Sequence, residues 1–452
     1  MALPATEVVP SARRLVQSLR DIGYDVATAL ADLVDNSIAA SARNVWIDLH
    51  FNGAGSWIRI LDDGDGMRER ALREAMRFGT QRTYGRDELG RFGLGLKSAS
   101  LSQCRRLTVA TRTAIRGRIR VARWDLDHIE RSDRWEVLRP HLKSCPTAVE
   151  PLRFRTGTAI VWEGLDRINR YRFPDGRRAE SDFEKVAADI EGHLAMTFHR
   201  YLAGETRSRH RINLYLNRKE ISPWDPFSRD ELATVQVPAQ RLTISHRRQK
   251  HRIVVRPFVL PAESQFSTLA AHRRAAGPRF WTRQQGFYFY RNDRLIQAGG
   301  WSRLRTQDEH TKLARVAIDI PSAADDAFEL TVSKTQVRIP ASIRGELAAV
   351  ASSTCRAAEE AYRRPRTPAG PEHADIAATR LDALATLVQM VVSALNDVLT
   401  QELELSFDLR NRLVARMRSL EAEVIDQAAA RLGLSDSRPL PAVTTVEASG
   451  LS

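Results

Sequence analysis

Lysine is nearly absent from this chain. Of its 69 basic residues, seven are lysine and sixty-two are arginine. Cysteine is rarer still: Cys104, Cys145 and Cys355 have neither metal-ligand nor disulfide spacing, which excludes a zinc module and a disulfide framework. No apolar run approaches the roughly eighteen residues that a membrane span needs. The first residues lack the charged-then-apolar order of a signal peptide. A soluble, cytoplasmic protein is therefore expected. No GxxxxGK[ST] stretch occurs, so a P-loop is excluded. The excess of Arg and Ala over Lys points to a GC-rich bacterial source.

What is present suffices for two or three domains, given 452 residues of which 43% are hydrophobic. The informative part lies in the first hundred and sixty. Val26, Leu30, Leu33, Val34 and Ile38 recur at helical spacing. On that helix Asp32 and Asn36 are four apart and share a face. An Asn can offer its amide oxygen to a divalent cation, and Mg²⁺ takes few protein ligands. A carboxylate one turn earlier can hold a water against a phosphate and accept its proton. Val45 to Phe51 and Ser56 to Leu61 alternate as strands, joined by the hairpin signals Asn52-Gly53-Ala54-Gly55. The second strand runs into Asp62-Asp63-Gly64-Asp65-Gly66-Met67. There a carboxylate can accept a hydrogen bond from the exocyclic amine of adenine, and the glycines let a base approach the backbone. Arg68 to Phe78 reads as a helix. Gly79 to Leu89 is polar and reads as a lid or a plain loop. Then come Gly90, Gly93 and Gly95, ahead of a helix start at Leu96 to Leu101, where backbone amides can face phosphates. Each piece alone also fits a bland reading: an amphipathic surface helix, an Asp/Gly turn, a loop. Their order is what carries weight.

In that order the motifs resemble the GHKL ATPases: DNA gyrase, the ninety-kilodalton heat-shock chaperones, histidine kinases and MutL. The resemblance covers about residues 11 to 170. It implies an α+β protein with a Bergerat-type ATP-binding α/β sandwich, followed by a transducer-like α/β domain and a C-terminal helical region. The wording Leu89-Gly90-Arg91-Phe92-Gly93-Leu94-Gly95-Leu96-Lys97-Ser98-Ala99-Ser100 is most similar to the microrchidia (MORC) subgroup and its bacterial relatives. Carried over by position, Asp32 is the expected general base and Asn36 the Mg²⁺ ligand. Asp62 and Thr158, the latter opening the strand Ala159 to Trp162, are expected to hold adenine. Gly64, Gly66, Gly90, Gly93, Gly95 and Lys97 are expected around sugar and phosphates, and Met67, Phe92 and Leu94 among the nucleotide-binding residues. ATP and Mg²⁺ are thus the implied cofactors. Two positions depart from the family: Asp32 stands where Glu is usual, and Ala39 where Asp is usual. A shorter base implies slow hydrolysis.

A second resemblance lies downstream. Phe328 to Ile339, containing Lys334, is similar to the MutL segment in which a Lys from a second domain reaches the γ-phosphate. Gly286 to Ile296 is similar to a transducer strand of the same family. In so Arg-biased a chain, a Lys at 334 suggests a need for a compact ammonium; an exposed hairpin Lys is the plain alternative.

The expected organisation is an N-terminal arm over 1–10, the ATP domain over 11–170, a transducer-like domain over 171–340, helices over 341–434 and a polar tail over 435–452. Tyr171 to Gly176 reads as a linker and Ser181 to Ala203 as a helix. Leu242 to Ser245 and Ile253 to Leu260 read as strands, with the basic residues His246 to Arg252 in a loop between them. Further helices are expected at Ser342 to Arg363, Ala374 to Gln401 and Asp408 to Leu432. The net charge of +14 suggests double-stranded DNA as partner, through 246–252 and 271–283, or simply a solvated Arg-rich surface. A histidine kinase would need a phospho-acceptor helix pair ahead of the ATP domain. A topoisomerase would need a cleavage domain, and a MutL-type nuclease a DQHAxxE motif; none is found. The reading that remains is an ATP-gated clamp that dimerises and acts on DNA, in repair or defence. The alternative is a chaperone-like or partner-regulated switch that docks protein on its C-terminal helices.

Overall fold

The computed structural model describes residues 9–21, 25–78, 95–208, 210–247, 249–329 and 337–363, with a few isolated positions beyond. The chain divides into two compact units. The first draws on Met1–Arg229, Thr234–Leu260 and Ala275–Glu359; the second on Asp230–Ala233, Pro261–Arg274 and Glu360–Ser452.

The first unit is α+β, as expected. Its helices begin with α1 (Ala12–Arg20), α2 (Val26–Ala39), α3 (Glu69–Met76) and α4 (Gly95–Leu101). Then follow α5 (Leu126–Ser132), α6 (Pro146–Val149), α7 (Arg177–Thr197) and α8 (His199–Leu202). The first sheet uses β1 (Asn44–His50), β2 (Trp57–Asp62), β3 (Arg106–Arg112), β4 (Arg120–Asp125), β5 (Gly157–Glu163), β6 (Asn213–Leu216) and β7 (Lys219–Glu220). Their spatial order is β4-β3-β5-β2-β1-β6-β7. All neighbours are antiparallel except β1 and β6. The sheet thus takes its last two strands from beyond residue 170, after the long helix α7 has crossed back over it.

The second sheet uses β8 (Val235–Gln236), β9 (Gln240–His246), β10 (Gln249–Val259), β11 (Gly286–Arg291), β12 (Arg294–Ala298) and β13 (Ala314–Ile320), ordered β12-β11-β13-β10-β8 with β9 on β10. Here the sequence expectation needs correction. His246 to Arg252 is not a loop but the tip of a hairpin, with Lys250 opposite Ser245 and Arg252 opposite Thr243. Basic side chains alternate with Ile253 and Val255, so one face buries and the other stays wet; the charge that suggested a loop is the polar half of a strand pattern. The helix expected over Ser181 to Ala203 is also broken, at Phe198, between α7 and α8. The segment 271–283 falls into α9 (Leu269–Ala275) and α10 (Phe280–Gln284), which are divided between the two units. Helix α11 (Ala341–Arg363) matches its expected span.

One hydrophobic core runs from Ile47 and Ile60 through Leu30, Leu33 and Val34 of α2 and Leu194 of α7, to Tyr288, Tyr290 and Leu295 of the second sheet. A smaller one, with Leu61, Ala159, Val161, Ala148 and Leu152, fills the other face of the first sheet. Burial on both faces explains why β5 reads as an uninterrupted apolar run rather than an alternation.

Candidate functional site

Helix α2 starts because the Asp25 carboxylate caps it, accepting from the Thr28 N–H at 2.8 Å and the Thr28 hydroxyl at 2.6 Å. That start sets the helical phase. Asp32 and Asp35 fall on buried faces and Asn36 is exposed. Ser37, next along, is buried and points at the end of β2, where its hydroxyl lies 3.1 Å from Asp62 Oδ2.

Asp62 is the centre of the site. Its Oδ1 accepts from the Gly64 N–H at 3.0 Å and the Thr158 N–H at 3.1 Å. Oδ2 takes the Ser37 contact and retains capacity for a further donor. Burial raises this carboxyl to about 6, against the lowering effect of the Gly64, Ser37 and Thr158 hydrogen bonds. Asp63 has a different role: it accepts from Arg43 N–H, Asn44 N–H and Asn44 Nδ2, and so fixes the turn.

The glycines beside Asp62 are dictated by close approach. A Cβ on Gly64 would lie 2.6 Å from the Ala40 carbonyl oxygen. Gly66 has φ +65 and would collide with the Arg112 carbonyl oxygen at 2.3 Å; Gly157 has φ +125 and would sit 1.9 Å from the Asp62 carbonyl oxygen. Gly157→Ala is therefore expected to destabilise the protein by about 3 kcal/mol or more, through both the left-handed φ and the clash with β2. Urea unfolding of parent and variant measures this; a loss below about 1 kcal/mol would mean that β2 and β5 can part without cost.

Asp62, Gly64, Gly66, Met67 and Thr158 come together around the ends of β2 and β5, while α2 carries Asp32 and Asn36. Gly95 adjoins the base candidate: a Cβ there would be 3.8 Å from Asp32 Oδ2. Lys97 is placed differently from the phosphate role the resemblance implies. It is buried, its Nζ donates to the Ala75 carbonyl oxygen at 3.0 Å, and burial lowers its ammonium to about 8 despite nearby Glu74. Gly90, Phe92, Gly93 and Leu94, the lid over Gly79 to Leu89, and Lys334 lie outside the described residues, as do most of the expected arm, the two later helices and the tail.

Three side chains were missed in the sequence. Ser37 was adjacent to Asn36 and easily read. Thr111 had no local signal: on β3 it pairs in register with Thr158, its hydroxyl 3.1 Å from that of Thr158 and accepting from the Met67 N–H at 2.8 Å. It joins β5 to the Asp/Gly turn. The third is Arg294, buried at the start of β12. Its Nε donates to Asp35 Oδ1 at 2.8 Å, and an outer nitrogen lies 3.4 Å from Asp32 Oδ1.

Elsewhere in this unit a cleft of about 540 Å³ is lined by Arg200, Arg207, Arg229 and Arg256 together with Glu205, Asp293 and Asp319. Arg200 and Arg256 pair with Asp319, and Arg229 with Asp225 and Glu205, so the charges there are matched internally. Among the described residues no cluster of His, Cys, Asp and Glu could hold a metal, and no helix is long and apolar enough to cross a membrane.

The arrangement is a buried acceptor between two strand ends, beside a helix carrying a carboxylate and an exposed amide. In keeping with it, residues 24–158 match the family of histidine kinase-, DNA gyrase B- and HSP90-like ATPases. The matched segment is similar to that family, and it contains every described residue assigned above to the nucleotide. No curated protein matches the chain.

Proposed function

We propose that the chain is an ATP-gated clamp, allied to the MORC-like and MutL-like branches of the GHKL class, that dimerises on binding Mg-ATP, hydrolyses it slowly and acts on DNA. The observation that carries this reading is Asp62. A carboxylate buried at a cost to its own ionisation, and held by three protein donors, is shaped to receive one more donor, as the adenine amine supplies. The residues present fit the cofactor. Asn36 is exposed on α2 and available to Mg²⁺ as an oxygen ligand, and we assign to Asp32, one turn earlier and beside Gly95, the holding of a water and the taking of its proton. Mg²⁺ neutralises phosphate charge when bound.

Lys334 is assigned to the γ-phosphate. The ends of its segment meet: Arg338 N–H donates to the Phe328 carbonyl oxygen at 3.0 Å, and Val337 N–H to the Gln297 side chain on β12 at 3.0 Å. Such a contact exists only while the γ-phosphate does, so it reports ATP and not ADP. The exposed face of the β9–β10 hairpin, with Arg241, Arg247, Lys250 and Arg252, supports sequence-independent contact with DNA phosphates, which weakens as salt rises. The C-terminal region from residue 341 onward keeps two copies joined in this scheme.

X-ray scattering tests it. A non-hydrolysable ATP analogue is expected to convert monomer or open dimer into a compact dimer that retains duplex DNA at low salt, whereas ADP is not. Lys334→Ala should still bind nucleotide but lose the compaction. A compact dimer formed equally with ADP, or by Lys334→Ala, would rule out the γ-phosphate gate. Compaction without DNA retention would favour a protein-directed switch.

A further inference from the structure

Arg294 reaches the nucleotide site from outside the matched segment. The turn before it, Asn292-Asp293, has left-handed φ of 47 and 65, values that Asn and Asp tolerate in a tight hairpin. That turn is locked from three sides. Tyr201 donates to the Asn292 carbonyl oxygen at 2.7 Å; Asp293 accepts from Arg207 N–H at 2.8 Å and Arg200 at 3.3 Å. The backbone of Arg294 is therefore fixed by the second sheet and α8. Its guanidinium lies over the Phe198 ring, 5.8 Å from the centroid, at the break between α7 and α8. From there it bridges two buried carboxylates on α2, with its shorter contact to Asp35 and its longer one to Asp32. The contact to Asp32 is made to Oδ1, whereas Oδ2 is the oxygen on the Gly95 side.

We propose that Arg294 is a positioning residue for hydrolysis, anchoring one oxygen of Asp32 so that the other faces the attacking water, and thereby making turnover depend on where the second sheet sits. The inference rests on the reading of Asp32 as the base. An Asp has one methylene fewer than the Glu usual at that position, and an anchored carboxylate compensates for reach with orientation. Asp35 holds the guanidinium in place, so Arg294 stays paired whether or not Asp32 moves.

The test uses the full-length protein with ATP and Mg²⁺, measuring kcat and nucleotide affinity separately. Arg294→Gln is expected to lower kcat about 10- to 100-fold, the range for a misdirected base, with ATP affinity within about threefold of the parent. In an Asp32→Ala background the same change should alter the residual rate by less than about twofold, because the group it positions is gone. Arg294→Lys keeps a buried cation opposite Asp35 but has no planar fork to span both carboxylates. It guards against misfolding of the Gln variant and is expected to show the same split. Turnover at or above the parent level in both variants overturns the proposal. So does a parallel loss of affinity and kcat, or an equal effect in the Asp32→Ala background. A parent that binds no ATP would instead overturn the function proposed above, and one that hydrolyses ATP unaffected by Asp32→Ala would displace the base assignment.

Discussion

Asp62→Asn is expected to abolish ATP binding in a protein at least as stable as the parent. Asn keeps an oxygen for the Gly64 and Thr158 amides and turns an NH₂ toward Ser37, whose hydroxyl can accept. The fold therefore keeps its hydrogen bonds. What is lost is the second acceptor oxygen, and a donor facing the adenine amine repels rather than receives it. Stability should move the other way. The carboxyl is raised from 3.8 to about 6 by burial. A raised carboxyl favours the folded state fully below the unfolded value and loses that contribution as pH rises through about 6. At neutral pH the buried charge thus costs on the order of 3 kcal/mol, which the amide avoids. Calorimetric titration and thermal unfolding of parent and variant check both halves. The Tm advantage of the variant should be largest above pH 6 and shrink toward pH 4. ATP affinity of the parent should fall about fivefold from pH 6 to pH 5 as the carboxyl protonates. Retained ATP binding in the folded variant would remove Asp62 from the adenine site.

Asp32→Ala is expected to bind ATP with little change and to lose roughly 10²- to 10⁴-fold in turnover, the contribution of a positioned general base. The variant should fold. Arg294 keeps its shorter contact to Asp35, so no buried cation is left unpaired, which would otherwise cost several kcal/mol. This separates a chemical defect from a structural one in a way the sequence did not foresee. Steady-state ATPase assays beside equilibrium binding make the distinction. Turnover at the parent rate would assign the base elsewhere, and loss of binding would make Asp32 part of the nucleotide contact itself.

The pieces legible in the chain are those whose signal is local. The helix carrying Asp32 and Asn36 announces itself by apolar spacing. The β1–β2 hairpin does so by alternation, and the Asp62 turn by glycines that a Cβ would not fit. Each depends on residues within about four positions of one another, the range over which helix and strand periods operate. The expected loop at 246–252 failed for the converse reason: half the residues of an exposed strand are polar, and a charged run cannot tell a loop from the wet face of a hairpin.

By itself, then, the sequence determined the order of the nucleotide motifs, the identity of Asp32, Asn36, Asp62 and Thr158 as candidates, and the α+β class. Only the tertiary structure decided what stands around them. Thr111 meets Thr158 because β3 and β5 pair in one register, 47 residues apart in the chain. The first sheet closes with strands from beyond residue 210, and Lys97 turns to the end of α3. Above all, Arg294, one arginine among sixty-two, reaches Asp32 across 262 residues. Composition and spacing carry no information at that range. The contact follows from a hairpin turn, an aromatic ring and a buried pair of carboxylates that converge only when the two sheets share one core.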